Sequence, residues 1–114
     1  MAARGDVLEL RRRLGFGASG RSERFVVLQA DELNRALDTV LAAPLDEAAD
    51  LYAEYPGAVA VGGAEAGTRS AQVLLVPQLS SVDLGRFGPA RTGKLRAETL
   101  RRVDRTLKLL LSLP

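Results

Sequence analysis

The stretch "TVLAAPLD", Thr39 to Asp46, decides how this chain is read. It is an apolar run that reads as a buried strand, and it ends on a carboxylate. Pro44 lacks an N–H, so it must sit at an edge or at a position that makes no ladder bond. Just upstream, "RFVVLQAD" at 24–31 reads as another strand, with β-branched residues at its centre. The polar "DELNRA" between them fits one helical turn. A connection that short implies a hairpin. If Ala30 faces Val40, then Leu28 faces Ala42, Val26 faces Pro44 and Arg24 faces Asp46. Residues so opposed lie roughly 4.5–5.5 Å apart. This register puts an arginine beside a carboxylate at the open end of the hairpin, where the segment 11–23 enters. A slip of one residue would send the two side chains to opposite faces.

Asp46 then has three readings. It can cap a helix over 47–55, accepting the free N–H groups of the first turn. It can form a surface ion pair with Arg24, worth about 0–1 kcal/mol. Or Arg24 and Asp46 can form a pair that cleaves a phosphodiester.

The rest of the chain supplies the frame. "DVLEL", Asp6 to Leu10, alternates apolar and polar residues as a first strand does. "RRRLGFGASGRSE" is rich in glycine, serine and arginine and reads as a loop. "DEAADLYAEYPG" has helical character, with Leu51, Tyr52 and Tyr55 as a partial apolar stripe that Pro56-Gly57 stops. "AVAVGG" and "QVLLVPQLSSV" read as strands, and "RFGPARTGKL" as a turn into a last short strand. From about Ala97 to Leu113 the period changes. Leu100, Val103, Leu107 and Leu110 recur at helical spacing, opposite Arg101, Arg102, Arg105 and Lys108. The expectation is a mostly antiparallel β domain with a C-terminal helix over one side.

Composition removes several chemistries. The 114 residues suffice for one domain, expected to span 1–114. There is no cysteine, which excludes a disulfide or a thiolate zinc site and suits a reducing cytoplasm. There is no histidine, so any acid–base work falls to Asp, Glu, Lys, Tyr, Arg or an assisted hydroxyl. The opening "MAARGDVLELRRR" has no apolar leader segment, and the longest apolar run, "LKLLLSLP", is too short to span a bilayer. A cytoplasmic protein with no membrane partner is therefore expected.

Net charge is only +2, but of 16 basic residues just Lys94 and Lys108 are lysines. Arginine suits phosphate, because its planar fork reaches two oxygens at once. Arginine-rich codon usage accounts for most of this excess. Arg11, Arg12 and Arg13 form either a grip on RNA phosphates or a solvated charge run. Arg86 and Arg91 carry the same two readings, an extension of a basic channel or solvated surface charge. Gly15, Gly17 and Gly20 form no phosphate loop, because no P-loop lysine follows. Asp46, Glu47, Asp50 and Glu54 read as the solvated face of a helix rather than a hard-cation site. No metal and no cofactor are expected.

Several stretches, taken in order, carry a family likeness. "RGDV" at 4–7 is followed by "RFVVLQAD" at 24–31 and "TVLAAPLD" at 39–46. "VPQLSSVD" at 76–83 and "LRRVDRTLKLLLSL" at 100–113 complete the series. Together they resemble the MazF/PemK family of toxin endoribonucleases. That family shows an R-G-[DE]-[IV] start, an R-P-V-V-[IV] strand and a V-I-V-A-A-[IL]-[TS] strand. A Q-[IL]-R-[TS]-[LI]-D segment and a final V-D-x-A-L helix follow. The likeness covers about half of the chain and is weakest over 11–23 and 47–71.

The resemblance implies an SH3-like small antiparallel barrel of the CcdB/PemK type with a C-terminal helix. It implies a homodimer that cuts single-stranded RNA at short sequences without a metal, leaving a 2′,3′-cyclic phosphate and a 5′-hydroxyl. It implies a MazE-like antitoxin whose acidic C-terminal segment lies along the RNA channel. Arg24 falls on the family's catalytic arginine. Gln78, Ser80, Ser81 and Asp83 fall on the segment that touches RNA or antitoxin, with Ser80 in place of the usual arginine. Phe25 replaces a proline.

Asp46 is the main departure, standing where the family has a catalytic Thr or Ser. A carboxylate only accepts hydrogen bonds and repels phosphate, but it is the better general base. Either Asp46 takes the 2′-hydroxyl proton, or a serine of the loop, such as Ser19, supplies the lost hydroxyl. Two rivals stand beside this reading. One is a catalytically weak binder of RNA or antitoxin with the same fold. The other is a CcdB-like gyrase poison, but that type acts through a Trp-Gly-Ile ending and this chain has no tryptophan.

Overall fold

The computed structural model describes residues 2–11 and 23–114. The first strand, β1 (Asp6–Glu9), pairs with β2 (Arg24–Val27) across the segment that carries Arg12, Arg13 and Ser19. Those three residues lie outside the described ones. A short helix, α1 (Asp31–Ala36), then leads into the long β3 (Thr39–Glu47), as expected for "DELNRA" and "TVLAAPLD". Next come β4 (Ala58–Val61), the one-turn α2 (Gly63–Ala66), β5 (Gln72–Leu75), β6 (Ser80–Asp83) and β7 (Gly93–Lys94). The last element is α3 (Ala97–Leu110). All strand pairs are antiparallel, in the order β4-β5-β3-β2-β1-β7, with β6 also on β3. The sheet curls into a half-barrel that α3 closes, which is the mostly β class expected.

Both faces of the central strands are buried. On one face Val7, Val26, Ala43 and Leu45 meet Val59, Leu74 and Val103, with Leu100 and Leu107 of α3 packed against them. On the other, Leu8, Phe25, Val27, Val40 and Ala42 meet Val82 and Phe87. Phe25 and Phe87 stack edge to face, their centroids 5.9 Å apart.

The strand over 72–82 breaks in two at Pro77, and Pro44 on the facing strand adds a reason. The N–H of Leu28 bonds the carbonyl of Leu41 at 2.9 Å, so odd residues of β3 aim their backbone groups at β2. Pro44 therefore aims at the opposite edge, where it has no N–H to offer. At that place the partner chain leaves the ladder as a 3₁₀ turn, Val76–Gln78, between β5 and β6.

The "RGDV" corner proves to be a clasp. Gly5 has φ +93°, and a Cβ there would stand 3.1 Å from Leu100. Arg4 Nη2 lies 2.6 Å from Asp104 Oδ1 on α3, and its Nε donates to the Leu28 carbonyl at 2.9 Å. Buried Asp6 accepts from Lys94 at 3.0 Å and Arg91 at 3.4 Å. Asp31 accepts from the Arg4 and Asn34 N–H groups, which hold its carboxyl below the usual range.

Glu65 starts α3. Its Oε1 accepts from the N–H of Arg96 at 2.8 Å and the hydroxyl of Thr99 at 2.6 Å. Burial pushes the Glu65 carboxyl up, but these hydrogen bonds outweigh it, and the net shift is down. Among the described residues no helix is long and apolar enough to cross a membrane.

Candidate active site

The hairpin register differs by one residue from the expected one. Phe25 faces Pro44, Val26 faces Ala43 and Val27 faces Ala42. Continued by one step, Arg24 stands opposite Leu45, not Asp46. Arg24 and Asp46 therefore point to opposite faces of the sheet, and the expected facing of the two is not formed. The strand from 24 also stops at Val27, so Ala30 does not pair with Val40.

Arg24 has a different carboxylate. In the β1–β2 ladder Glu9 stands directly across from it. Arg24 Nη2 lies 3.1 Å from Glu9 Oε2, with the two side chains 30% and 43% exposed. The buried Nε of Arg24 has no hydrogen-bond partner among the described residues. Glu9 was readable from the sequence in one way only. It precedes the segment 11–23 as Arg24 follows it, and a hairpin across that segment sets the two together.

Asp46 sits in a different setting. It does not cap a helix, because β3 runs on to Glu47 and the expected helix over 47–55 shrinks to a 3₁₀ turn, Asp50–Tyr52. The residue is buried, 9% exposed. Its Oδ1 accepts from the Glu47 N–H at 2.9 Å, and its Oδ2 accepts a short hydrogen bond from the hydroxyl of buried Tyr52. Tyr52 stacks edge to face on Tyr55 with centroids 5.6 Å apart. The Tyr55 hydroxyl accepts from Gln78 Nε2 at 3.2 Å. A tyrosine pair thus links Asp46 to Gln78. The sequence reading had these tyrosines as an apolar stripe.

The other named residues spread around the same sheet. Ser80 and Ser81 lie on β6 opposite Ala42 and Leu41. Ser81 is exposed, while the Ser80 Oγ is buried with no hydrogen-bond partner among the described residues. Asp83 accepts from the Gly85 N–H at 2.9 Å and caps a 3₁₀ turn, Leu84–Arg86. Arg11 and Arg86 are exposed neighbours, joined by a 2.9 Å backbone bond from the Arg11 N–H to the Arg86 carbonyl. Arg11 Nε also donates to the Phe87 carbonyl at 3.0 Å. Among the described residues no three or more carboxylates gather where a metal ion could be held.

One curled antiparallel sheet closed by one C-terminal helix carries all of these residues. The chain belongs to the PemK-like, MazF-like toxins of type II toxin-antitoxin systems, whose family model matches residues 3–111. No curated protein sequence matches it. Among solved structures it is similar to an endoribonuclease in complex with its cognate antitoxin from a mycobacterial species. That match has 18% identity and a TM-score of 0.75, and covers 100% of this chain and 98% of the other. It is similar to MazF in a MazE–MazF complex from Deinococcus radiodurans at 21% identity and TM-score 0.75, covering 99% and 97%. It is also similar to the Mycobacterium tuberculosis toxin MazF-mt6 at 13% identity and TM-score 0.74, covering 96% and 98%. At these identities the likeness shows a shared fold.

Proposed function

We propose that this chain is the toxin of a type II toxin-antitoxin pair and acts as a sequence-specific endoribonuclease that needs no metal. Its substrate is single-stranded RNA. Attack by the 2′-hydroxyl on the adjacent phosphorus forms a 2′,3′-cyclic phosphate and expels the 5′-hydroxyl. It works as a cytoplasmic homodimer of single domains spanning 1–114, under control of a MazE-like antitoxin with an acidic C-terminal segment.

The observation that carries this reading is Arg24. The resemblance in the motif "RFVV" puts it on the family's catalytic arginine, and its side chain keeps 30% of its surface while its buried Nε has no partner among the described residues. Phosphate is the group such a fork suits, and a crowded phosphate anion is what it would stabilise. Gln78, Ser80 and Ser81, with the basic residues Arg11, Arg12, Arg13 and Arg86 and the loop residue Ser19, are the proposed contacts to RNA or antitoxin. The test is direct. Purified protein is incubated with a long single-stranded RNA in EDTA and the ends are mapped. Discrete cuts with cyclic-phosphate termini are expected, and an intact RNA over a wide range of conditions rejects the enzyme.

A second reading, a binder of RNA or antitoxin with little catalysis, is favoured by the burial of Asp46, which stands where a reactive hydroxyl is expected. In that case the intact RNA would still be retained by the protein in a filter-binding assay. The CcdB-like alternative finds no support in the family match.

A further inference from the structure

Arg24 is held by a carboxylate, but by Glu9 of β1 rather than by Asp46 of β3. We propose that Glu9 is the general base of this ribonuclease, taking the 2′-hydroxyl proton while Arg24 holds the phosphate. The proposal rests on the RNA-cleaving reading above and names the proton acceptor within it.

Three observations separate Glu9 from Asp46. The first is placement. Glu9 and Arg24 are directly opposed in the β1–β2 ladder, with Oε2 and Nη2 3.1 Å apart. A phosphate gripped by Arg24 therefore arrives within a hydrogen bond or two of the Glu9 carboxylate. The second is access. The Glu9 side chain keeps 43% of its surface, which a group that must touch substrate needs. Asp46 is buried, accepts hydrogen bonds at both oxygens, and lies on the other face of the sheet from Arg24. The third is donor capacity. A guanidinium carries five N–H donors. Nη2 makes the contact to Glu9, and the Arg24 side chain keeps 30% of its surface for a ligand. Arg24 can hold a phosphate oxygen without letting go of Glu9. The absence of histidine makes a carboxylate the natural group for this step.

The step balances without a co-reactant. The Glu9 carboxylate removes the proton from O2′, and O2′ bonds to phosphorus as the P–O5′ bond breaks. The departing O5′ takes a proton from solvent water, and the Glu9 carboxylic acid returns its proton to solvent. Nothing is oxidised or reduced, and no water is consumed overall. Arg24 stabilises the crowded anion in between. Asp46 is left as a structural anchor for Tyr52.

The experiment compares wild type, Glu9→Gln and Glu9→Ala on one single-stranded RNA with a mapped cut. A copy of that RNA carrying a 2′-deoxy sugar at the cut site reads binding. Glu9→Gln should melt like wild type, bind the 2′-deoxy RNA at least as tightly, and lose about 10²–10³-fold in kcat. The acidic limb of its kcat–pH profile should vanish. Added formate should restore part of the kcat of Glu9→Ala. A Glu9→Gln protein with wild-type kcat and an unchanged pH profile overturns the proposal, since glutamine can still brace Arg24 but cannot accept the proton. So does a Glu9→Ala protein that is slow and gains nothing from formate. A wild-type protein that cuts no RNA overturns the reading of function itself, and the proposal falls with it.

Discussion

Two carboxylates stand near the middle of the sheet, and their surroundings differ in kind. Glu9 faces Arg24 from the next strand, and both keep much of their surface. Asp46 lies on the opposite face, buried, with the Tyr52 hydroxyl and the Glu47 N–H filling its oxygens. Beyond it, half-buried Tyr55 and Gln78 extend the same chain of contacts. The first pair is open and has a donor to spare. The second is closed and satisfied. A fully bonded buried carboxylate fixes a shape, because disturbing it leaves its partners desolvated. A half-exposed ion pair adds little to stability and is free to meet a ligand. Stability and chemistry thus fall to different carboxylates, and each assignment can be attacked separately.

The strongest attack is on the open pair. Arg24→Ala should lower RNA cleavage by about 10³-fold, on the order of 4 kcal/mol of transition-state stabilisation, with little change in melting temperature. Full activity in a gel-based cleavage assay would remove Arg24 from the site. Next comes the closed pair. Asp46→Ala should cost about 1–3 kcal/mol in urea unfolding, because the buried Tyr52 hydroxyl loses its acceptor. Its kcat per folded molecule should stay near that of wild type. A stable Asp46→Ala protein that cannot cut RNA would reverse the two roles.

Glu65 supplies a control away from both pairs. Its carboxyl is held below the ordinary glutamate range in the folded chain, because the hydrogen bonds from Thr99 and Arg96 outweigh its burial. A folded-state value below the unfolded one adds stability that is present above the unfolded value and lost as pH falls through the folded one. Unfolding midpoints should therefore drop as pH falls below about 4.5, and Glu65→Gln should blunt that drop. An unchanged slope would mean that Glu65 does not tie α2 to α3 as the geometry implies. The smallest effect is expected at Tyr55→Phe, which removes the acceptor of Gln78 Nε2. It should cost about 0.5–1.5 kcal/mol and should shift cleavage-site preference before overall rate. A preference identical to wild type, read by sequencing the cut ends, would detach Gln78 from RNA reading.

The sequence showed the elements better than their alignment. "TVLAAPLD", "AVAV" and the period of Leu100, Val103 and Leu107 all became the elements expected. The register did not, for a physical reason. Alternation fixes register only where one face is wet, and β2 and β3 are buried on both sides. Nothing in "RFVV" or "VLAAPL" distinguishes the pairing found from its one-residue neighbour. The helix expected over 47–55 failed because Asp46 and Glu47 still belong to β3 and are held by β5. The split of "QVLLVPQLSSV" was only half legible: Pro77 lies inside it, but Pro44, which faces the break, lies on another strand. Glu9 gives no such signal in the sequence, because its pair with Arg24 forms in β1–β2, across the long connection 11–23, and not in β2–β3.

The clasp at Arg4 and Asp6 bears on the order of synthesis. β1 and β2 leave the ribosome early, carrying Glu9 and Arg24. The groups that fasten their corner, Lys94 and Asp104, and Val103, which shares a core cluster with Val7 and Val26, come much later in the chain. A nascent chain therefore carries Glu9 and Arg24 before the groups that fasten their corner have been made. Under the proposed function, the late-made helix delays competence until the chain can leave its own message.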